Sequence, residues 1–443
     1  MKKTVFYHGK SVIIAIALLM LLTASAAANA VVPGISGSTF NLVAGSGHFD
    51  TPDGDSLLLW GYGNQGSSAQ YPGPTLIVNQ GATVRVNLTN NLDQAVSIVF
   101  PGQGQVTDPV AGGSGTPGLL TREAAVGGGT VSYQFVASQP GTYLYHSGTN
   151  TDLQVEMGLL GALIVRPTGF NQASNRTAYG HPDSAYDHEY LFLLSEMDPT
   201  IHDLVDFGFI NYVDNAEAFP VFWFVNGRNG MNTLDRNFAP WLPYQPYSAL
   251  ARTRPGEKVL LRIIGGGRNQ HAFHAHGNHS TIIARDGRML SSGPGAGPDL
   301  AVQDFTISPT PGGTVDAVFS WTSRGLGWDV YGTPLEDFPH NCTPAGPDDP
   351  VDPNTGEDCT YHGTPIPVTL PGLQDLAFGG WYSGSPFLGQ FGQLPPGEGG
   401  LNLNGGLFFM WHSHNEKELT NFDIFPGGML TFVIIEPPGT PIP

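Results

Sequence analysis

Tyr71-Pro-Gly-Pro-Thr-Leu-Ile-Val-Asn-Gln-Gly81 and the adjoining Thr83-Val-Arg-Val-Asn-Leu88 determine the kind of fold that this chain can adopt. The first run has Pro and Gly at its ends, and in the second run apolar and polar residues alternate. Because successive side chains of a β-strand point to opposite faces, this alternation predicts a strand with one buried face. The chain holds 60 Gly and 37 Pro, and short alternating runs recur along it. The sequence therefore predicts an all-β protein.

The order of these runs is repeated in the second half of the chain. Residues 255–264 match the early alternating strand, 406–414 match 139–148, and 427–435 match 157–165. A repeated order of strands indicates two domains of one ancestry, each a β-sandwich that buries alternate residues between two sheets.

The predicted domain boundaries follow from these repeats. The first domain covers residues 31–168, a polar linker covers 169–189, and the second domain covers 190–440. The second domain carries a long insertion, 323–403, that is rich in Gly, Pro and Asp. Loops of this length are lids, binding loops or disordered segments.

The first 30 residues have the features of a bacterial Sec-type signal peptide. Lys2, Lys3 and Lys10 supply the basic region, residues 12–22 form an apolar run, and Ala28-Asn-Ala30 is a small-residue cleavage site. The apolar run is short for a membrane span. We therefore expect a secreted or periplasmic protein with no membrane span after cleavage, and an uncleaved anchor is the alternative.

The balance of charge excludes one class of partner. The chain has 18 basic and 37 acidic residues, and removal of the signal peptide leaves 15 basic against 37 acidic. Nucleic-acid binding requires the opposite sign. An acidic surface suits solubility, and it also suits cationic ligands or metal ions.

Two short segments carry paired histidines. One reads His271-Ala-Phe-His274-Ala-His276-Gly277, and the other reads Trp411-His412-Ser413-His414. On a strand, each His-x-His pair directs both imidazoles to the same face. Four imidazoles from two neighbouring strands predict a metal site, with copper favoured and zinc second. The alternative is that these histidines are polar core or interface residues without metal.

The repeated motifs resemble those of the multicopper oxidase family, whose domains have the Greek-key cupredoxin fold. The resemblance rests on Gly-Pro-Thr-Leu-Ile-Val-Asn-Gln-Gly, Gly-Thr-Tyr-Leu-Tyr-His-Ser, Met-Gly-Leu-Leu-Gly-Ala-Leu-Ile-Val and His-Ala-Phe-His-Ala-His-Gly. It covers nearly all of the mature chain except 323–403. The two-domain arrangement is similar to small laccases and copper nitrite reductases. That resemblance implies a homo-oligomer, a trimer, with copper sites shared between subunits.

The sequence departs from the family pattern at several ligand positions. Where the family has Ser-Ile-His-Trp-His-Gly, this chain has Ser97-Ile-Val99-Phe-Pro101-Gly. The next expected pair keeps only His146, in Tyr-His146-Ser-Gly. The resemblance therefore implies a weaker fifth ligand in His146, which would reach across a domain or subunit interface. The alternative for His146 is a structural, hydrogen-bonded histidine.

The blue, or type 1, copper of the family needs a thiolate. The resemblance gives its ligands as the first His of His-x-Phe-His, a Cys, a second His and an axial Met. Here those positions are occupied by His271, Ser413, Glu418 and Met429. A serine hydroxyl forms no copper–thiolate bond, so we expect no type 1 copper. His271, as a weaker ligand, could hold a soft or labile ion with Glu418 and Met429, or it could be structural.

Further candidates accompany the histidines. Glu416 and Glu418 follow His414 closely and are candidates for proton delivery, or are simply exposed to solvent. Cys342 and Cys359 are expected to form a disulfide in an oxidising compartment. The acidic residues between positions 348 and 358 either hold calcium or form a solvated acidic loop.

Two functional hypotheses follow. The first is a copper oxidoreductase that acts on a small substrate (oxygen, peroxide, superoxide or nitrite) at a histidine-ligated centre without type 1 copper. The second is a non-catalytic cupredoxin that carries copper or has a structural or extracellular interaction role, since fold alone does not determine function.

Overall fold

A computed structural model describes residues 30–322, 342–353, 357–361, 368–369, 385–386, 401–402, 406–436 and 440–442. The predicted signal peptide, apart from Ala30, and much of the predicted 323–403 insertion lie outside the described residues. No helix within the described ranges is long and apolar enough to cross a membrane.

The first domain is a sandwich of two four-stranded sheets. One sheet has the strand order β1-β4-β10-β9, and the other has the order β3-β2-β5-β8. The pair β6 and β7 forms a separate ribbon. The strands are β1 (Ile35–Ser36), β2 (Thr39–Asp50), β3 (Ser56–Asn64), β4 (Gly73–Asn79), β5 (Thr83–Asn90), β6 (Thr116–Pro117), β7 (Arg122–Glu123), β8 (Thr130–Val136), β9 (Gly141–His146) and β10 (Leu160–Arg166).

Strand β5 illustrates why these residues form a sandwich. Val84, Val86 and Leu88 are fully buried, whereas Arg85 lies at the surface. The buried side chains join one apolar core shared by the two sheets. Burial of each such side chain stabilises the fold by about 1.5–3 kcal/mol. The alternation of apolar and polar residues from Thr83 to Leu88 therefore determines which face of the strand enters the core.

The second domain repeats this architecture with larger sheets. Their strand orders are β12-β11-β14-β20-β16-β17, with β18 beside β16, and β13-β25-β24-β15-β19, with β22 beside β24. The strands are β11 (His188–Met197), β12 (Phe222–Val225), β13 (Ala251–Thr253), β14 (Lys258–Gly265), β15 (Phe273–Ala275), β16 (Ser280–Arg285), β17 (Arg288–Met289), β18 (Val302–Asp304), β19 (Thr306–Ile307), β20 (Thr314–Ser320), β21 (Val368–Thr369), β22 (Ser385–Pro386), β23 (Leu401–Asn402), β24 (Leu407–Ser413) and β25 (Leu430–Ile435). The two sandwiches confirm the predicted all-β, cupredoxin-like fold class.

Helices are few and short among the described residues. Helix α1 (Thr151–Glu156) follows β9, and helix α2 (Pro199–Asp206) follows β11. Asp198 begins α2 by accepting a hydrogen bond from the Thr200 N–H at 2.9 Å, and Pro199 occupies its first turn. Short single-turn 3-10 helices lie at 182–184, 210–212, 215–217, 232–234, 359–361 and 416–419.

The two domains share an apolar interface. It consists of fifteen buried residues, nine from the first domain and six from β11, β12 and β14: Val32, Phe49, Leu57, Leu59, Tyr71, Leu144, Leu160, Ala162, Ile164, Leu191, Leu193, Met197, Phe222, Phe224 and Ile264. The segment 199–218 packs on the first-domain core through Ile201 and Ala218. The domain boundaries predicted from sequence place this segment in the second domain. The domains therefore form a single packed body.

A buried charge network crosses the same interface. Arg166 and Arg262 both contact the Glu189 carboxylate, Arg262 at 2.9 Å. Burial alone would raise the pKa of Glu189, but the two guanidinium groups lower it to about 2. Arg262 also donates to the Thr142 hydroxyl of β9 at 2.9 Å. Buried charges are tolerated when they are paired in this way.

The insertion contains a disulfide. Cys342 and Cys359 are joined with their Cα atoms 5.6 Å apart and 17 residues separating them in sequence. Within the loop, Asp349 and Asp358 accept hydrogen bonds from nearby backbone N–H groups. The described part of the acidic loop does not bring three carboxylate oxygens within 4.8 Å of one another. Calcium binding there stays a prediction.

Candidate metal centre

Two neighbouring strands bring the histidine pairs together. Strands β15 and β24 run antiparallel, with His274 directly opposite His412 and Phe273 opposite Ser413. Phe273 and Trp411 are buried in the second-domain core, on the face opposite the histidines. Since side chains alternate along each strand, anchoring these aromatic rings forces the imidazoles to the other face.

The imidazoles form a compact group. Nitrogen atoms of His274, His276 and His412 all lie within 4.8 Å of one another. The shortest separation, 3.2 Å, joins Nε2 of His276 to Nε2 of His412. The ring of His414 lies 4.8 Å from that of His274, centroid to centroid, and its side chain is 55% exposed. Three of the four predicted ligands therefore form one group of nitrogen atoms, and the exposed ring of His414 lies beside it.

Hydrogen bonds orient the rings. The Nδ1–H of His412 donates to the carbonyl of Ser413 at 2.7 Å, so the lone pair of this ring is on Nε2, which faces Nε2 of His276 at 3.2 Å. The Trp411 indole donates to the carbonyl of His276 at 3.0 Å and pins the backbone beside that ring. Nδ1 of His274 contacts the Thr306 hydroxyl at 2.8 Å. Sequence reasoning did not identify Thr306, because a single Thr in a two-residue strand carries no motif.

The electrostatics favour the neutral form of three of these imidazoles, those of His274, His276 and His412. Burial and the neighbouring imidazoles lower the pKa of His274 and of His276 to about 4. Burial also lowers the pKa of His412. Metal ions bind the neutral imidazole, so groups that stay unprotonated at neutral pH are suitable ligands. The donor set of neutral nitrogens fits copper or zinc.

A different network occupies the other face of β24. The buried His271 ring lies between two buried carboxylates, with Nε2 2.8 Å from Glu196 and Nδ1 3.0 Å from Glu418. The Ser413 hydroxyl donates to the same Glu418 oxygen at 2.5 Å. Backbone N–H groups of Arg268 and Asn269 donate to the remaining Glu196 oxygen. Sequence reasoning missed Glu196, which lies 75 residues before His271.

This network makes His271 a cation. Burial alone would lower the pKa of His271, but its hydrogen bonds to Glu196 and Glu418 and their charges raise it to about 9. Both ring nitrogens therefore carry a proton at pH 7 and donate to carboxylates. Met429 is fully buried beside the network, and its backbone N–H donates to the Glu418 carbonyl at 2.7 Å.

His146 lies away from the imidazole group within one chain. It lines an interdomain cavity of about 340 Å³ together with Leu144, Glu196 and Arg268. Its Nδ1–H donates to the Ser147 carbonyl at 2.9 Å, the same arrangement as His412 with Ser413. Burial lowers the pKa of His146. The chain thus keeps His146 neutral with Nε2 available, but does not bring it to the other four.

The two predicted proton donors lie on different sides of β24. Glu416 is exposed, and its carboxylate lies 3.8 Å from Nδ1 of His414. Glu418 is buried and contacts His271, Ser413 and Asn415 instead. Of the pair, Glu416 is therefore the one beside the imidazole group.

Comparison with known proteins agrees with this architecture. The Multicopper oxidase family model matches residues 64–169. Laccase-25 of Oryza sativa subsp. japonica is 27% identical over 258 residues, which cover 57% of this chain and 39% of the laccase. L-ascorbate oxidase of Cucumis sativus is 36% identical over 132 residues, 30% of this chain and 20% of that protein. The chain thus matches well under half the length of these relatives.

Solved structures share the fold. A blue copper oxidase from Nitrosomonas europaea superposes with a TM-score of 0.54 at 18% identity, covering 89% of this chain and 85% of that one. The multicopper oxidase mgLAC gives 0.53 at 19% identity, covering 91% and 87%. At such identities the likeness concerns the fold, which is that of cupredoxins. The chain is thus similar to multicopper oxidases in the sequence of residues 64–169 and in its fold.

Proposed function

We propose that this protein binds copper at His274, His276, His412 and His414 and acts there as an oxidoreductase. The observation that carries the proposal is the group of three neutral imidazoles whose nitrogens lie within 4.8 Å of one another. Imidazole nitrogens are metal ligands, and three of them this close together can bind one ion. Copper is preferred over zinc because the Irving–Williams order and the family relationship both favour it.

The proposed substrate is small and binds directly at the centre. The four histidines would hold the copper, which would supply one-electron chemistry toward oxygen, peroxide, superoxide or nitrite. The exposed His414 side chain leaves the site accessible from solvent. We assign proton delivery to Glu416, whose carboxylate lies 3.8 Å from Nδ1 of the neighbouring His414.

We further propose that the type 1 copper is absent. Its positions hold His271 with both nitrogens bonded to carboxylates, and Ser413 bonded to Glu418. Both cysteines of the chain are joined in the disulfide, so neither can supply a thiolate. A blue-copper site depends on that thiolate. The reductant must therefore deliver electrons at the imidazole centre itself.

We propose that the protein is secreted or periplasmic and assembles as a trimer. The family resemblance supports an arrangement in which His146 of one chain approaches the imidazole centre of its neighbour. The free Nε2 of His146 supports this, because its Nδ1–H is already used by Ser147. The disulfide in the insertion supports an oxidising compartment.

A non-catalytic copper carrier is the second candidate. The exposure of His414 favours it, because a site with one exposed ligand can exchange its ion readily. The replacement of two first-domain ligand positions by Val99 and Pro101 favours it as well. The two candidates share the same centre and differ in turnover.

The test begins with metal content. Copper per chain is measured in wild type, in a His274→Ala/His412→Ala double variant, and in His279→Ala, a control at an exposed histidine of the same domain. We expect stoichiometric copper in wild type and control and its loss in the double variant. Wild type that binds no copper after loading would overturn the proposal.

Turnover then separates enzyme from carrier. The copper-loaded protein is assayed with oxygen, peroxide, superoxide and nitrite in the presence of a small-molecule reductant. Turnover that disappears in the double variant supports the oxidoreductase. Stoichiometric copper without turnover of any of the four favours the carrier.

A further inference from the structure

The hydroxyl of Thr306 contacts the imidazole group from a third strand. Strand β19 pairs with β15 on the side away from β24, and Thr306 lies directly opposite His274 in that register. The Thr306 Oγ1 atom is 2.8 Å from Nδ1 of His274. A hydroxyl can accept from a ring nitrogen or donate to it, and when it accepts from Nδ1–H the lone pair of Nε2 is left for a metal.

The backbone around Thr306 is itself held in place. The Asp304 carboxylate accepts hydrogen bonds from the N–H groups of Phe305 at 2.8 Å and Thr306 at 3.3 Å. The Ala275 N–H donates to the Phe305 carbonyl at 2.9 Å. The Phe305 ring stands edge-on to the His274 ring at 5.3 Å and 88°. The hydroxyl therefore has a fixed position against the imidazole.

The orientation of the His412 ring does not depend on another side chain. His412 donates its Nδ1–H to a carbonyl of its own strand, which no substitution removes. His274 has no such carbonyl partner in the described chain, and Thr306 supplies the contact instead. Removing one hydroxyl can therefore change the orientation of one ligand while leaving the others untouched.

We infer that Thr306 is a positioning residue, which holds His274 in the tautomer protonated at Nδ1 and presents Nε2 to the metal. This inference rests on the proposed copper centre. It concerns a group that does not touch the metal or the substrate and acts through His274 alone.

The first experiment needs no metal. In protein labelled with ¹⁵N-histidine, the ring nitrogen shifts of His274 report its tautomer, and a His274→Ala variant identifies the signals. We expect protonation at Nδ1 in wild type and a mixture of tautomers in Thr306→Val. A wild-type His274 protonated at Nε2, or a tautomer unchanged by the Val substitution, would overturn the inference.

The second experiment measures affinity for Cu²⁺ by competition with a chelator. Thr306→Val keeps the shape and strand preference of Thr while removing the hydroxyl. Loss of such a partner weakens metal binding by about 10–100-fold. Thr306→Ser should restore wild-type affinity, and Thr281→Val, a half-buried threonine of β16, should leave it unchanged. Wild-type affinity in Thr306→Val would overturn the inference.

The two measurements separate the inference from the proposed function. If wild type binds no copper, the proposed function fails, and the tautomer of His274 in the metal-free protein still decides the role of Thr306. If wild type binds copper and Thr306→Val binds it equally well, the proposed function stands and the positioning role fails.

Discussion

Replacing His271 by Gln should destabilise the protein by an amount that depends on pH. Burial alone would lower the pKa of His271, but its bonds to the Glu196 and Glu418 carboxylates raise it to about 9. In the unfolded chain the ordinary pKa of 6.5 applies. Between these two values the folded state keeps a proton that the unfolded state has lost, so protonation favours folding.

The magnitude follows from the two pKa values. A raised pKa stabilises the fold fully below pH 6.5, and this stabilisation disappears as the pH rises through about 9. At about 1.4 kcal/mol per pKa unit, the difference between 9 and 6.5 corresponds to about 3 kcal/mol. A buried carboxylate that loses its counter-charge costs about 3–5 kcal/mol, which is the same order.

The assay is urea unfolding of wild type and His271→Gln over a series of pH values. We expect the variant to be less stable by about 3 kcal/mol below pH 6.5 and the gap to narrow strongly above about pH 9. His279→Gln, at an exposed histidine, serves as the control and should have the stability of wild type at every pH. A gap that stays constant from neutral to alkaline pH would refute the argument, because it would mean that the imidazolium charge does not stabilise the fold.

Three other changes have expected outcomes. Ser413→Cys alone should not give the intense visible absorption of a copper–thiolate bond, because Glu418 remains where a second imidazole is needed. That absorption is expected only in the double variant Ser413→Cys/Glu418→His. Intense visible absorption in the single variant would contradict this prediction. Cys342→Ser/Cys359→Ser should lower the free energy of unfolding by about 3 kcal/mol and speed proteolysis of the loop, with no loss of bound copper. A fall in copper content would contradict this and show that the loop contributes to copper binding. Arg262→Met should lower the free energy of unfolding, measured in urea, by about 3–5 kcal/mol, because the buried Glu189 carboxylate loses one of its two guanidinium partners. An unchanged unfolding midpoint would refute this prediction.

Much of the fold could be predicted because alternation is a local property. In β5, the positions of Val84, Val86 and Leu88 predict which side chains are buried, and the structure buries all three. The repeated order of motifs predicts two sandwiches, and the structure contains two. The packing of the segment 199–218 on the first domain could not be predicted, because it depends on the shape of a surface formed elsewhere in the chain.

The candidate centre shows the same division. His-x-His spacing predicts that His274 and His276 share a face, and also that His412 and His414 do. Their convergence required β15 and β24 to pair in one particular register, which the tertiary structure supplies. A slip of that register by one residue would turn one pair of imidazoles into the core.

The sequence by itself determined the strand pattern, the all-β fold class, the paired histidines and Ser413 between the second pair. These features follow from side-chain periodicity and residue identity, which are set within a few neighbouring residues. Only the tertiary structure decided that Glu196 joins His271, 75 residues away, and that Thr306 contacts His274, 32 residues away. Contacts over such separations form because distant strands pair to bury their apolar faces, and burial of the core dictates which polar groups then meet.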